Sequence, residues 1–304
     1  MQDFKRFVFI IFLAFVSIQF VFAKSDKHEF IVSTTWLSKH LKDPNLVLIE
    51  IGQKAGYDST HIPGAVFMTT LDISTPRGSG LSLQVPSMEK LVESFEKAGV
   101  SNNSRIILYY GNDWVTPAAR FYLTLDYMGL GENTSILDGG LPEWEKENRP
   151  LTNKVPKTKK GKIIVTNPHK EIIADVDFVA KNLNNPAIQV VDARTENFYS
   201  GEDTSYSRPG HIAGATNIPF TSLTTDRTPY LFKSKDELKK IYNNAGVREG
   251  KTMVDYCHIG QQGSLVYFIA RYLGYDAKLY DGSYEEWDEK TDLPVIGAVK
   301  RKMN

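Results

Sequence analysis

Apolar positions along the chain follow two alternating patterns. Four short runs, Leu46-Val47-Leu48-Ile49-Glu50, Arg105-Ile106-Ile107-Leu108-Tyr109-Tyr110, Ile188-Gln189-Val190-Val191-Asp192 and Thr252-Met253-Val254-Asp255-Tyr256, have the length and β-branched character of buried strands. The second and fourth lead into segments of helical period that stop near Gly129 and Gly274. Leu265 to Leu273 is apolar at nearly every position, which predicts a buried helix ended by Gly274. Strands alternating with helices predict an α/β fold with mainly parallel sheets, because a parallel crossover needs a helix and lays it over a sheet face.

The pattern occurs twice. His61-Ile62-Pro63-Gly64-Ala65-Val66 returns 150 residues later as His211-Ile212-Ala213-Gly214-Ala215-Thr216. Each copy closes alike, Ile136-Leu137-Asp138-Gly139-Gly140 through Trp144 matching Lys278-Leu279-Tyr280-Asp281-Gly282 through Trp287. A repeat of this length implies duplicated domains rather than a solenoid of short units. The expected division is a first domain at residues 28–149, a linker at 150–164 and a second domain at 165–299, each of ordinary domain size. Lys154, Lys157, Lys159, Lys160 and Lys162 make the linker basic, as a solvated connection would be; a polyanion site is the other reading.

Duplication also sorts candidate chemistry. Features present in both halves serve the shared fold, and a feature present in one half is a candidate for function. His61 and His211, Trp144 and Trp287, and the two Asp-Gly turns belong to the first class. The histidine spacing matches no common ligand pattern, so no metal and no other cofactor is expected. Cys257 belongs to the second class, because the first half places Gly111 at the point after its strand-ending Tyr110.

Composition narrows the setting. With 304 residues, 41% of them hydrophobic, the chain can fill substantial cores. Its 36 basic and 36 acidic residues cancel, so no global field recommends nucleic acid as a partner. Lys5 and Arg6 precede an apolar run from Phe7 to Phe22, and Val21-Phe22-Ala23 fits a cleavage site, so residues 1–23 are expected to be a signal peptide. The alternative, an uncleaved anchor, needs about 20 apolar residues. The run has sixteen, interrupted by Ser17 and Gln19. An exported protein, periplasmic or secreted, with no stable membrane anchor after cleavage, is the expectation. A single cysteine cannot close an internal disulfide, so the fold rests on packing.

Cys257 follows a strand and begins Cys257-His258-Ile259-Gly260-Gln261-Gln262-Gly263-Ser264 ahead of the buried helix. The sulfur is therefore expected at the carboxyl end of a parallel strand and against a helix amino terminus, the usual ligand crevice of an open α/β sheet. Amides there lack helical acceptors and favour an anion, while Gly260 and Gly263 permit a tight curl. Charge-assisted hydrogen bonds of about 1.5–3 kcal/mol each would favour a thiolate, the nucleophilic form.

Together the repeated units, Asp192-Ala193-Arg194, the Gly210-to-Pro219 motif, the Tyr-Cys loop and the closing Asp-Gly turn with Trp287 resemble the tandem rhodanese family, which includes thiosulfate and 3-mercaptopyruvate sulfurtransferases. The resemblance covers nearly all of residues 28–296. It implies two rhodanese-like domains, the first catalytically inactive, with an active site between them. It further implies that Cys257 takes sulfur from a small donor, thiosulfate or 3-mercaptopyruvate, as a persulfide and passes it to cyanide or a thiol. His258, Ile259, Gly260, Gln261 and Gln262 would form the binding loop. Arg194, Phe220 and Trp114 are possible substrate contacts, although Arg194 equally suits a pairing with its own strand and loop.

Departures bear on the donor. Thiosulfate-type loops of the family carry arginine and lysine after the cysteine, where His258 and Ile259 stand, and mercaptopyruvate-type loops carry Gly-Ser-Gly-Val-Thr. The position of a substrate-gripping arginine falls on Phe198. His258 is the expected source of local positive charge, fading above a pKa near 6.5, and Gln261 and Gln262 could donate uncharged hydrogen bonds. A related phosphatase chemistry wants Cys-x5-Arg, but the sixth residue after Cys257 is Gly263. A sulfur carrier loaded by a partner protein is the remaining alternative.

Overall fold

Two five-stranded parallel sheets form where the hydrophobic pattern predicts strands, in a computed structural model that describes residues 29–76, 78–112 and 114–297. The expected leader, residues 1–23, lies outside these residues. The first domain contains β1 (Ile31–Val32), α1 (Thr34–His40), β2 (Leu46–Ile51), α2 (Lys54–Ser59), β3 (Val66–Met68), α3 (Met88–Lys97), β4 (Arg105–Tyr110), α4 (Thr116–Tyr127), β5 (Thr134–Leu137) and α5 (Gly140–Lys146). The second contains β6 (Ile173–Ala174), α6 (Val176–Asn182), β7 (Ile188–Asp192), α7 (Glu196–Ser200), β8 (His211–Ile212), β9 (Thr216–Asn217), α8 (Lys235–Asn244), β10 (Thr252–Tyr256), α9 (Gln261–Leu273), β11 (Asp276–Tyr280), α10 (Ser283–Glu289) and β12 (Val295–Ile296). Strand order is β1-β5-β4-β2-β3 in one sheet and β6-β11-β10-β7-β9 in the other, so the two are topological copies. β4 and β10 lie at the centres, which is why both are buried on both faces.

Local chemistry sets the helix ends. Ser87 caps α3, and Ser234 caps α8 in a reciprocal box with Glu237. The expected helix at 265–273 begins earlier, at Gln261. Gly260, in the left-handed conformation at φ 85°, turns the chain, and Ser264 Oγ donates to the Gly260 carbonyl at 2.7 Å, so the polar Gln-Gln-Gly-Ser stretch forms the first turn.

The domains meet through α4 and α9. Both helices are buried along most of their length because each lies between its own sheet and the other helix. Tyr122 meets Phe268 edge to face at 4.7 Å, and Tyr267 donates to Asp126 at 2.6 Å. One apolar cluster accordingly runs from Leu108 and Phe121 through Leu265 and Phe268 to Cys257, while separate clusters cover the outer faces of the sheets. Each large side chain buried in it contributes about 1.5–3 kcal/mol.

The linker is laid against the first domain. Thr152 and His61 exchange backbone hydrogen bonds, the amides of Gly161 and Ile163 donate to Glu96, and Lys160 pairs with Glu96 at 3.1 Å. The repeated histidines share a structural role. His61 stacks on Tyr57 and bonds its carbonyl through Nδ1 at 2.7 Å, as His211 does with Tyr199.

Candidate active site

Cys257 is the residue after β10 and is fully buried. Its N–H donates to Ser283 Oγ at 3.2 Å, its carbonyl accepts from Tyr284 N–H at 2.9 Å, and the His258 carbonyl accepts from Glu285 N–H at 3.0 Å. The loop thus rests on the second Asp-Gly turn and the start of α10. Among the described residues, the amides of His258 through Gln262 have no acceptor in backbone or side chain. These are the leading amides of α9, and orphaned donors at a helix start favour an anion.

The neighbours of the loop differ from the charged setting expected. His258 is held between the Phe198 edge, 4.5 Å away, and Tyr206, whose hydroxyl lies 2.9 Å from Nδ1. Burial, reinforced by the charge of Arg194, pushes the His258 pKa down to about 4. The expected positive charge is therefore absent at neutral pH: desolvation penalises the imidazolium, and sequence cannot show that. Arg194 is fully buried and forked onto Asp192, with Nε–Oδ1 at 3.0 Å and Nη2–Oδ2 at 2.5 Å, and Nη2 also donates to the Gly210 carbonyl. Its guanidinium lies 3.9 Å from the Tyr284 ring centre, and among the described residues Nη1 has no partner. Gln261 reaches Thr116 of the first domain at 3.5 Å, and Gln262 Oε1 is buried with no partner among the described residues.

A cavity of about 500 Å³ opens between the domains beside Ile259 and Gln261, and the first domain supplies Thr70, Thr75, Ser82 and Leu83 to its walls. Trp114 and Phe220 do meet across the domains, edge to face at 5.5 Å, with Trp114 stacked on Tyr230 at 3.9 Å. They pack against each other, and neither is among the residues lining this cavity. Residues 70–76 and 78–83 carry no motif, and only the tertiary fold brings them to the loop.

The two domains clasp each other in a pseudo-twofold manner. Val85 N–H donates to Asp281 Oδ2 and Phe232 N–H donates to Asp138 Oδ1, both at 2.8 Å, and each donor lies two residues before a capping serine. Ser82 also bonds Glu285 through its N–H and hydroxyl.

The same correspondence corrects the repeat register. Tyr256 bonds Asp192 at 2.7 Å and accepts the Ile212 N–H, whereas Tyr109, not Tyr110, bonds Glu50 at 2.6 Å and accepts the Ile62 N–H. The counterpart of Cys257 is therefore Tyr110 rather than Gly111, since β4 runs one residue beyond its anchoring tyrosine. Tyr110 turns its hydroxyl to the backbone of Tyr230 across the interface. The register also places Gly52 opposite Arg194, so Glu50 is buried without an arginine and burial raises its pKa.

Paired parallel domains with one cysteine at a strand-to-helix turn define a class of tandem α/β proteins. The chain belongs to the rhodanese family, the rhodanese-like domain model matching residues 33–147 and 175–290. It is 32% identical over 284 residues to the sulfur carrier protein TtuD of Thermus thermophilus, covering 88% of this chain and 96% of that protein. A protein of Mycolicibacterium smegmatis provisionally named thiosulfate sulfurtransferase is 30% identical, with 88% and 98% covered. Among solved structures, the 3-mercaptopyruvate sulfotransferase SseA of Escherichia coli aligns with a TM-score of 0.74 at 29% identity, over 84% of this chain and 98% of that one. The anaerobic ergothioneine biosynthesis enzyme of Chlorobium limicola, 22% identical with a TM-score of 0.77 over 90% of this chain and 71% of that one, shares the fold.

Proposed function

We propose that the chain is a sulfurtransferase that moves sulfane sulfur through a persulfide on Cys257, and that its first domain is catalytically inactive. The observation that carries this reading is the contrast between equivalent positions: Cys257 before unpartnered helix-leading amides in one domain, Tyr110 bonded across the interface in the other. The Cys257 thiolate attacks the outer sulfur of thiosulfate, an S–S bond forms as the donor S–S bond breaks, and sulfite leaves with the electron pair. With 3-mercaptopyruvate a C–S bond breaks instead and pyruvate leaves after taking a proton. Cyanide or a thiolate then attacks the outer persulfide sulfur and restores the Cys257 thiolate.

A second reading, a sulfur carrier loaded by a partner protein, is supported by the name of the Thermus relative. Turnover of thiosulfate and cyanide by the purified protein alone separates the two. Sulfite and thiocyanate released in equal amounts by wild type, and none by Cys257→Ser, is the expected result; release by the variant would remove the assigned nucleophile, and loading only with a partner protein would favour the carrier. We also propose export of the mature chain, supported by Lys5, Arg6 and the apolar run that follows them.

A further inference from the structure

We infer that Arg120, contributed by the first domain, is a positioning residue for the sulfur-carrying loop of the second: it holds Gly260, and through it the amides around Cys257. The inference rests on the sulfur-transfer reading above.

Arg120 lies in α4, is fully buried, and uses Nη2 to bridge the Leu83 carbonyl at 2.6 Å and Asp281 Oδ1 at 2.7 Å. Among the described residues its Nε and Nη1 have no partner. Nη1 faces the loop, since a methyl group placed on Gly260 would lie 3.1 Å from it and 3.2 Å from the Asp281 carbonyl oxygen. Gly260 is the left-handed residue that turns the chain from Cys257 into α9, so Arg120 and Asp281 form the wall on which that turn is seated.

Two comparisons within the molecule show that domain docking alone does not account for Arg120. The opposite clasp, Phe232 N–H on Asp138, closes with no arginine among the described residues. Counting back from Gly129 and Gly274, the counterpart of Arg120 is Leu265, so the arginine occurs only where the docked turn adjoins the cysteine loop. A buried guanidinium with unmatched N–H groups is costly, and here it stands beside the curl that must present several amides to one sulfur.

The test is the time course of sulfur gain by the intact protein at several thiosulfate concentrations, for wild type, Arg120→Met, Arg120→Lys and Tyr110→Phe. Tyr110→Phe loosens the interface away from the loop. Misplacing a reacting group by about 1 Å costs on the order of 100-fold, so Arg120→Met is expected to lower the limiting loading rate by about tenfold or more with little change in half-saturating donor. Arg120→Lys keeps a cation opposite Asp281 and so preserves folding, but lacks the fork, and is expected to load several-fold slower than wild type. Tyr110→Phe should load at the wild-type rate despite a lower melting temperature. Wild-type rates in Arg120→Lys or Arg120→Met, or a Tyr110→Phe rate as slow as that of Arg120→Met, would overturn the inference. A wild-type protein that gains no sulfur from thiosulfate or from 3-mercaptopyruvate would instead overturn the sulfur-transfer reading.

Discussion

His258 offers a sharp test of how burial shapes the loop. An ordinary imidazole titrates near 6.5, whereas here burial, with Arg194 nearby, brings it to about 4, a gap worth about 3 kcal/mol. Because the folded pKa is depressed, the contribution of His258 to stability is fully present above about pH 6.5 and is lost as pH falls toward 4; by pH 4.5 roughly 2.5 kcal/mol has gone. His258→Gln carries no titrating group and cannot lose this amount. Urea unfolding of both proteins at pH 7.5 and 4.5 should therefore show wild type losing about 2.5 kcal/mol more than the variant. Buried carboxyls such as Asp138 act with the opposite sign, but they are common to both proteins and cancel in the difference. Equal losses, or a His258 ring proton signal titrating near 6.5, would refute the claim that the loop works with a neutral imidazole.

Two further outcomes follow from the same reasoning. Burial raises the Asp138 pKa to about 6, so its ionisation costs stability as pH rises from about 4 to 6. Asp138→Asn keeps an acceptor for Phe232 N–H and should be more stable than wild type at pH 7.5, by at most about 3 kcal/mol, with the advantage gone near pH 4; a less stable variant at pH 7.5 would contradict this. Export predicts that protein recovered from the periplasm of a bacterial host begins at Lys24, and recovery of the chain with Met1 intact in the membrane fraction would contradict cleavage.

Much of this architecture was legible because duplication wrote it twice. The paired strands, the two His-Ile-x-Gly-Ala segments and the Asp-Gly turns predict two parallel-sheet domains, and the family match covers both. Cys257 stood out because nothing matched it in the first half. Its register did not, since both strands end in tyrosine and only the bonds to Glu50 and Asp192 reveal that Tyr109 corresponds to Tyr256. The start of α9 was hidden because its first turn is polar and is set by the backbone at Gly260. Arg120 is one residue in a largely apolar segment, and the wall formed by Thr70, Thr75, Ser82 and Leu83 belongs to a distant stretch of chain. The charge of His258 depends on desolvation, a property of the assembled fold.

The most direct measurement is the intact mass of the protein after separate exposure to thiosulfate and to 3-mercaptopyruvate, with the modified peptide then identified. A gain of one sulfur atom on the peptide containing Cys257, reversed by cyanide and missing in Cys257→Ser, is the predicted result. An unchanged mass with both donors, or sulfur on the Cys257→Ser protein, would contradict it.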